Sequence, residues 1–187
     1  MAVSKQIRAS LTTPDFVVLA LLAEQPRHGY QLNLELERRE VRDWAGVSRP
    51  QVYYSLKKLE RMKLIDQASE KKNTRGPERQ VFTLTPQGQA ALALALGREE
   101  WATERIPPRF LTWLALSLHA RPEAARKVIA RRRAFLEAEL ARERATIQAV
   151  RADTGRTMPV PLFMLDLTIW QFEMELIWLQ EVERYFG

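Results

Sequence analysis

The segment Ser48–Ile65 contains the residues whose types and spacing most clearly match a known chemistry. Five of its residues are basic, and its single acid is Glu60. At helical spacing an apolar face lies opposite a basic and aromatic one. The two faces are formed by Val52, Leu56 and Leu59 and by Tyr54, Lys57, Lys58 and Arg61. Such a helix is expected to pack on its own protein and to present a basic front to a polyanion.

The beginning of this helix holds residue types that read DNA base edges. Ser48 is a favourable N-cap, Gln51 suits an adenine edge and Arg49 a guanine edge. Tyr53 and Tyr54 follow, and a phenol can donate to a phosphate oxygen. The alternative is that Tyr53 is packed and that the lysines form an ordinary solvated face, so each individual base contact stays open.

Charge is concentrated in the first half of the 187-residue chain. Residues 1–86 carry 15 Lys and Arg against 10 Asp and Glu, whereas residues 87–187 carry 14 against 13. The polyanion partner is therefore expected to contact the first half. With 46% hydrophobic residues the chain can also bury a sizeable core.

Helical patterns precede the basic segment. One helix is predicted over Asp15–Ala23, with Thr13 as its N-cap and Pro14 at its first position. A second is predicted over Tyr30–Arg39, followed by a short turn at Asp43–Val47. Two helices, a turn and a basic third helix indicate a helix-turn-helix.

Residues 66–85 change to the alternating pattern of a strand pair. The turn between the strands includes Gly76-Pro77, and basic residues cluster around it: Lys71, Lys72, Arg75 and Arg79. This predicts a basic wing beside the third helix. A helix over Gln87–Thr103 then closes a winged helix-turn-helix domain, which we expect to span residues 1–104.

The remaining residues, 105–187, are predicted to form a helical domain after the linker Ile106–Pro108. Helices are expected over Arg109–His119, Pro122–Arg151 and Leu162–Phe186. The last contains a heptad seam and a second apolar row. One helical hairpin can cover only one of the two faces, so we predict a homodimer and assign the seam to its interface: Leu162, Leu165, Ile169, Phe172, Leu176 and Leu179.

Aromatic residues of the helical half could line a pocket for a small aromatic effector, between the domains or at the dimer seam. The candidates are Trp101, Trp113, Phe163, Trp170 and Trp178. Aromatic residues on helices that pack on two sides are more often core, which is the favoured interpretation for each one.

Other function classes find little support. The two histidines, His28 and His119, are far apart and lack metal-ligand spacing, so no metal or cofactor is predicted. No nucleophile elbow, phosphate loop or zinc helix is present, so an enzyme is not expected. The absence of cysteine, of a leader and of a long apolar run favours a cytoplasmic protein without a membrane span.

Several motifs together resemble the PadR family of transcriptional regulators. They are His28-Gly29-Tyr30-Gln31-Leu32, the pair Val52-Tyr53 with later leucines, and Phe82-Thr83-Leu84-Thr85 with Gly88. The resemblance covers residues 11–92, and the second half matches, in arrangement only, the branch with a longer C-terminal domain, which includes a virulence-activator type. Pro50 and Lys63 stand where that family usually has glycine.

The resemblance implies a mainly α-helical protein with a small β wing, an N-terminal DNA-binding domain and a C-terminal dimerisation domain. It implies a homodimeric repressor or activator that binds double-stranded DNA, with a repressor favoured, and a small aromatic effector that relieves the DNA binding. The alternative is a winged-helix module that binds proteins without reading DNA. A small-molecule carrier would leave the basic wing unexplained.

Overall fold

The structure, a computed structural model, describes residues 11–70, 79–103, 108–152 and 159–186. The chain forms two compact units, residues 1–104 and residues 105–187. Within the described residues the units are mainly helical, with one small antiparallel sheet in the first. The predicted fold class, a winged helix-turn-helix followed by a helical region, is confirmed.

Four helices precede the sheet hairpin in the first unit: α1 (Thr13–Glu24), α2 (Gly29–Arg38), α3 (Val41–Ala45) and α4 (Arg49–Arg61). The N-cap of α1 is Thr12, one residue earlier than predicted, because the Asp15 carboxylate accepts from both the amide and the hydroxyl of Thr12. The predicted turn at Asp43–Val47 is instead the end of α3. Gly46 terminates α3 in the left-handed conformation, with φ of 65°.

The sheet has the strand order β1-β3-β2, where β1 is Arg27–His28, β2 is Ile65–Glu70 and β3 is Arg79–Leu84. The β2–β3 hairpin is the predicted wing, with Ile65 opposite Leu84 and Glu70 opposite Arg79. β1 was not predicted. It pairs with β3 through only two residues, which is too short for an alternating pattern to be visible in sequence.

The core of the first unit lies between α1, α2, α4 and the sheet. Its fully buried side chains include Val18, Leu19, Leu32, Leu59 and Leu64. α1 contributes residues from all round its axis, as expected for a central helix. α5 (Pro86–Leu96) follows the hairpin and ends at Gly97, so the predicted Gln87–Thr103 helix is shorter, with a 3₁₀ turn at Glu99–Ala102.

The second unit consists, in its described part, of α6 (Arg109–Leu116) with a 3₁₀ turn at Ser117–His119, α7 (Pro122–Ala152) and α8 (Pro159–Phe186). α7 and α8 form a long helical hairpin. Ile129, Leu136, Leu140 and Ile147 of α7 are buried against α8. Arginine–glutamate pairs join the two helices, including Arg132 with Glu175 and Arg133 with Glu183.

The heptad seam of α8 packs against α7 inside this hairpin. Leu179 has no exposed surface, Ile169 is 9% exposed, and the other seam residues lie against the same clusters: Leu162, Leu165, Phe172 and Leu176. These six residues thus have an intrachain packing role, and their assignment to a dimer interface stays a prediction. The buried apolar residues of α7 have matching spacing and pack against the seam within the same chain.

Candidate nucleic-acid interface

α4 is held with its apolar back against the core of the first unit. Val52, Leu56 and Leu59 are at most 2% exposed, and they face α1 and α2. The burial of these three side chains fixes which side of α4 turns outward. The basic front predicted from helical spacing is consequently a surface of the folded domain.

The outward face of α4 combines phenols and cations. Tyr54 is 66% exposed and Tyr53 50%, and Lys57 and Arg61 are also exposed. The Arg61 guanidinium donates to the backbone carbonyl of Lys57 at 3.2 Å. A convex helix face with two cations and two phenols can contact phosphate oxygens and base edges of a duplex groove.

Two of the residues expected to read bases take part in capping α4. The Gln51 side-chain oxygen accepts from the Ser48 amide at 2.8 Å and from the Ser48 hydroxyl at 2.8 Å. Reading adenine with both ends of an amide would need this oxygen. In this arrangement Gln51 has only its amide N–H groups left to offer, and Ser48 serves the helix start.

Arg49, the first residue of α4, forms an ion pair with Glu37 of α2. Its side chain is 66% exposed, and that of Glu37 is 53% exposed. The Glu37 carboxylate, by hydrogen bond and charge, raises the pKa of Arg49. The guanidinium stays at the leading end of the helix but is oriented by a neighbouring acid, which the local sequence did not indicate.

Lys58 differs from the prediction. It was expected on the exposed front, but its side chain is only 16% exposed and its Nζ lies 2.5 Å from the carboxylate of Asp15 on α1. Asp15 is completely buried. Lys58 therefore projects to the flank of the packed face, 100° round the helix from Lys57, and its ammonium binds the Asp15 carboxylate.

The end of α4 is fixed by Lys63, which adopts the left-handed conformation usual for glycine, with φ of 57°. The Leu64 amide donates to the Leu59 carbonyl. The Leu64 carbonyl in turn accepts from the amide and the hydroxyl of Thr85. Gly88 lies against the same carbonyl, and a Cβ there would be 2.0 Å from it. The Thr85 and Gly88 motif thus joins α4 to the end of the wing.

The wing carries the other predicted contacts. Lys71, Lys72 and Arg75 lie outside the described residues. Arg79 begins β3 and pairs in register with Glu70. The hairpin begins at Ile65, shortly after α4 ends at Arg61, and the assignment of these basic residues to DNA stays a prediction.

Residues 18–94 match the model of the transcriptional regulator PadR-like family. This range includes α2, α4 and the whole hairpin, and it closely follows the motifs quoted above. The first unit of the chain thus matches the PadR-like family. The sequence resemblance is confirmed. No curated protein matches the sequence.

Solved structures of PadR-like regulators have the same fold over nearly the whole chain. Bacillus subtilis PadR in complex with operator DNA has a TM-score of 0.76 at 18% identity, covering 95% of this chain and 99% of that one. The same protein with p-coumaric acid gives 0.74 at 17% identity, covering 94% and 99%. The Vibrio cholerae virulence activator AphA gives 0.73 at 20%, covering 93% and 97%. At these identities the likeness establishes the fold.

α2 exposes two large side chains that the sequence analysis did not assign to a site. Tyr30 is 54% exposed and stacks on His28, with ring centroids 5.5 Å apart, and Leu34 is 60% exposed one turn later. The His28 Nδ1 is 3.0 Å from the Gln80 carbonyl on β3. Tyr30 is part of the family motif, but the sequence did not indicate that its ring would stay exposed.

The five aromatic residues proposed for an effector site are divided between the two units. Trp101 belongs to the first unit, where it meets Phe16 edge-on at 5.6 Å and donates to the Ala95 carbonyl. Trp113 and Trp178 are half-buried around Phe110, with centroid distances of 5.2 and 6.3 Å. All three make packing contacts, although Trp101 is still 46% exposed and Trp178 also lines a groove on α8.

The other two candidates, Phe163 and Trp170, lie on the second apolar row of α8 and are 67% and 64% exposed. The row continues through Met174 and Ile177, at 65% and 60% exposed. An open groove of about 400 Å³ follows it, lined by residues of α8 alone: Trp170, Gln171, Met174, Glu175 and Trp178. A groove lined by one helix cannot enclose a ligand unless something covers it.

Within the described residues, no three His, Asp or Glu side chains are grouped as a metal site requires. In the same part of the chain, no helix combines the length and the apolar character needed to span a bilayer.

Proposed function

We propose that this protein is a sequence-specific DNA-binding transcriptional regulator. One observation carries the proposal: α4 has its apolar side packed in the core, and its opposite side exposes cations and phenols. A positively charged helix face fits a major groove, which has phosphates on both sides. The wing that follows this helix in the chain can reach the neighbouring phosphates. The proposed contacts are Arg49, Tyr53, Tyr54, Lys57 and Arg61 on α4 and Lys71, Lys72, Arg75 and Arg79 on the wing.

The proposal includes a homodimer, now placed on the exposed row of α8. Four large apolar side chains in that row are at least 60% exposed: Phe163, Trp170, Met174 and Ile177. Aromatic residues and Met are enriched at interface cores, and an exposed contiguous row favours a partner surface of the same kind. Two copies related by a two-fold axis would present two α4 helices to a two-fold DNA site.

We further propose that the protein is a repressor and that a small aromatic acid releases it from DNA. Support comes from the Trp170–Trp178 groove, which a second copy could close, and from the solved complex of Bacillus subtilis PadR with p-coumaric acid. Titrating aromatic acids while recording tryptophan fluorescence tests the effector, and a reporter gene behind the bound site tests the sign of regulation. No quenching across the panel, or higher expression with the protein than without it, would contradict the respective part.

Footprinting the purified protein on the DNA upstream of its own gene tests the main proposal. We expect a protected near-palindrome whose half-sites lie about one helical turn, or a multiple of it, apart. The rival function, a winged-helix module that binds proteins, predicts no protection and no retention on a duplex column at low salt. That result would overturn the proposal.

A further inference from the structure

Asp15 is a buried acid that the DNA-binding face does not use directly. It has no exposed surface, and one carboxylate oxygen accepts from the Thr12 amide at 2.7 Å, the Thr12 hydroxyl at 2.9 Å and the Lys58 ammonium at 2.5 Å. The other oxygen, Oδ1, is buried without a hydrogen-bond partner among the described residues. A buried carboxylate with an unmet acceptor is costly, and its cost has to be offset by its partners.

The partner of this acid comes from the recognition helix itself. Lys57 and Lys58 are neighbours in sequence, but Lys57 is exposed and the Lys58 side chain is 16% exposed. The Lys58 stem runs along the packed side and brings its ammonium into the first turn of α1. One of two adjacent lysines faces outward, and the other ties α4 to a different element 43 residues away.

The remaining contacts between α1 and α4 are largely apolar. Valine and leucine contacts are non-directional, so they fix the rotation of a helix less strictly than a directional contact does. An ion pair off the helix axis opposes rotation, because turning α4 separates the two charges. Side-chain tips lie about 5–6 Å from a helix axis. A rotation of about 15° would move them by about 1.5 Å, beyond the tolerance of a base-reading site.

We infer that Asp15 and Lys58 are positioning residues that set the rotation of α4, and that Lys58 does not itself neutralise a phosphate. The inference rests on the proposed function, since it concerns the geometry of the same DNA-reading face. It assigns adjacent lysines opposite roles: Lys57 contacts the polyanion, and Lys58 orients the helix that carries Lys57.

The test uses the full-length protein and two variants. Asp15→Asn/Lys58→Met removes both charges together, keeps an acceptor for Thr12 and leaves no unpaired buried charge. Lys57→Met is the matched control on the outward face. Each is assayed at a temperature where circular dichroism shows it folded, on the footprinted duplex and on a scrambled duplex of equal length, from low to moderate salt.

For Lys57→Met we expect weaker binding to both duplexes and a slope of log affinity against log salt that is shallower by about 0.9 per site. For the double variant we expect an unchanged salt slope and at least a tenfold loss of preference for the footprinted duplex. A slope reduced as in Lys57→Met would show that Lys58 contacts phosphate. Unchanged preference would show that the pair only stabilises the fold. Either result overturns the inference, whereas failure of the wild-type protein to bind duplex overturns the proposed function.

Discussion

α4 and α8 are both helices with one side packed on their own chain and the other side exposed, but the chemistry of the exposed sides is opposite. α4 exposes cations and phenols around Lys57 and Arg61. α8 exposes an apolar row that includes Trp170 and Ile177. The first surface gains from releasing counterions on a polyanion, and the second from removing apolar area from water. One chain thus offers two surfaces that cannot substitute for each other.

In both helices, the residues that stabilise the unit differ from the residues proposed to bind a partner. On both helices the buried stripe belongs to the unit's own core, and the proposed partner binding uses the exposed residues. A variant of a buried residue should therefore change unfolding, and one of an exposed residue should change association.

Leu179→Ala should lower the free energy of unfolding by about 2–5 kcal/mol, because it empties a fully buried position of the α7–α8 hairpin. Urea denaturation measures it. Leu118→Ala, at a position 72% exposed, is the control and should change stability little. A small effect of Leu179→Ala would mean that the heptad seam is not the internal face of α8.

Trp170→Ala should weaken self-association by at least about 2 kcal/mol, the effect expected for a central interface tryptophan. Sedimentation velocity over a concentration series measures it. Trp44→Ala removes a tryptophan that is 53% exposed in the first unit and should leave association unchanged. If both variants associate like the wild type, the exposed row of α8 is not the dimer surface.

Gly88→Ala should destabilise the first unit by about 1–3 kcal/mol, because its Cβ would meet the Leu64 carbonyl at 2.0 Å and force the end of α4 away from the wing. Thermal unfolding measures the effect. Gly97→Ala is the matched control, since its Cβ has ordinary contacts at 3.5 Å and beyond. Equal stability of the two variants would contradict the close approach at Gly88.

Glu183→Gln should lower the free energy of unfolding by the smallest amount of the four variants. The size of that loss should depend on pH. The Arg133 guanidinium holds the pKa of Glu183 below its ordinary value of 4.5, although burial opposes the shift. A lowered folded pKa gives stability above pH 4.5 that is lost as pH falls through the folded value. The stability difference between wild type and variant should therefore shrink in acid. A difference that stays constant from pH 6 to pH 3 would contradict this.

Sequence periodicity was sufficient to predict which side of α4 is buried, because the helix has a single apolar stripe and that stripe can only pack on the core of its own unit. Val52, Leu56 and Leu59 could only face inward, so the exposed positions of Tyr54, Lys57 and Arg61 followed. Lys58 was misplaced because its partner, Asp15, is distant in sequence and because a position at the boundary of two faces can turn either way. Spacing gives a side chain's direction, but the ionic partner depends on the tertiary fold.

For α8 the sequence had two apolar rows and no local means of deciding which one the chain covers itself. The choice depends on how α7 meets α8, and cross-helix pairs such as Arg132–Glu175 and Arg144–Glu173 help to select it. Those pairs join residues 43 and 29 positions apart. The sequence pattern showed that one apolar row of α8 would stay uncovered by its own chain. Only the folded hairpin shows which of the two rows is exposed.

The central claim, that the exposed side of α4 binds duplex DNA, is tested most directly by the salt dependence of binding for wild type and Lys57→Glu/Arg61→Glu. The wild-type protein should bind with an affinity that falls steeply as salt rises, with a slope close to 0.9 per phosphate neutralised. The charge-reversed protein should bind every duplex more weakly and with a shallower slope. Wild-type affinity that does not change between low and high salt, or an unaltered slope in the folded variant, would contradict the account.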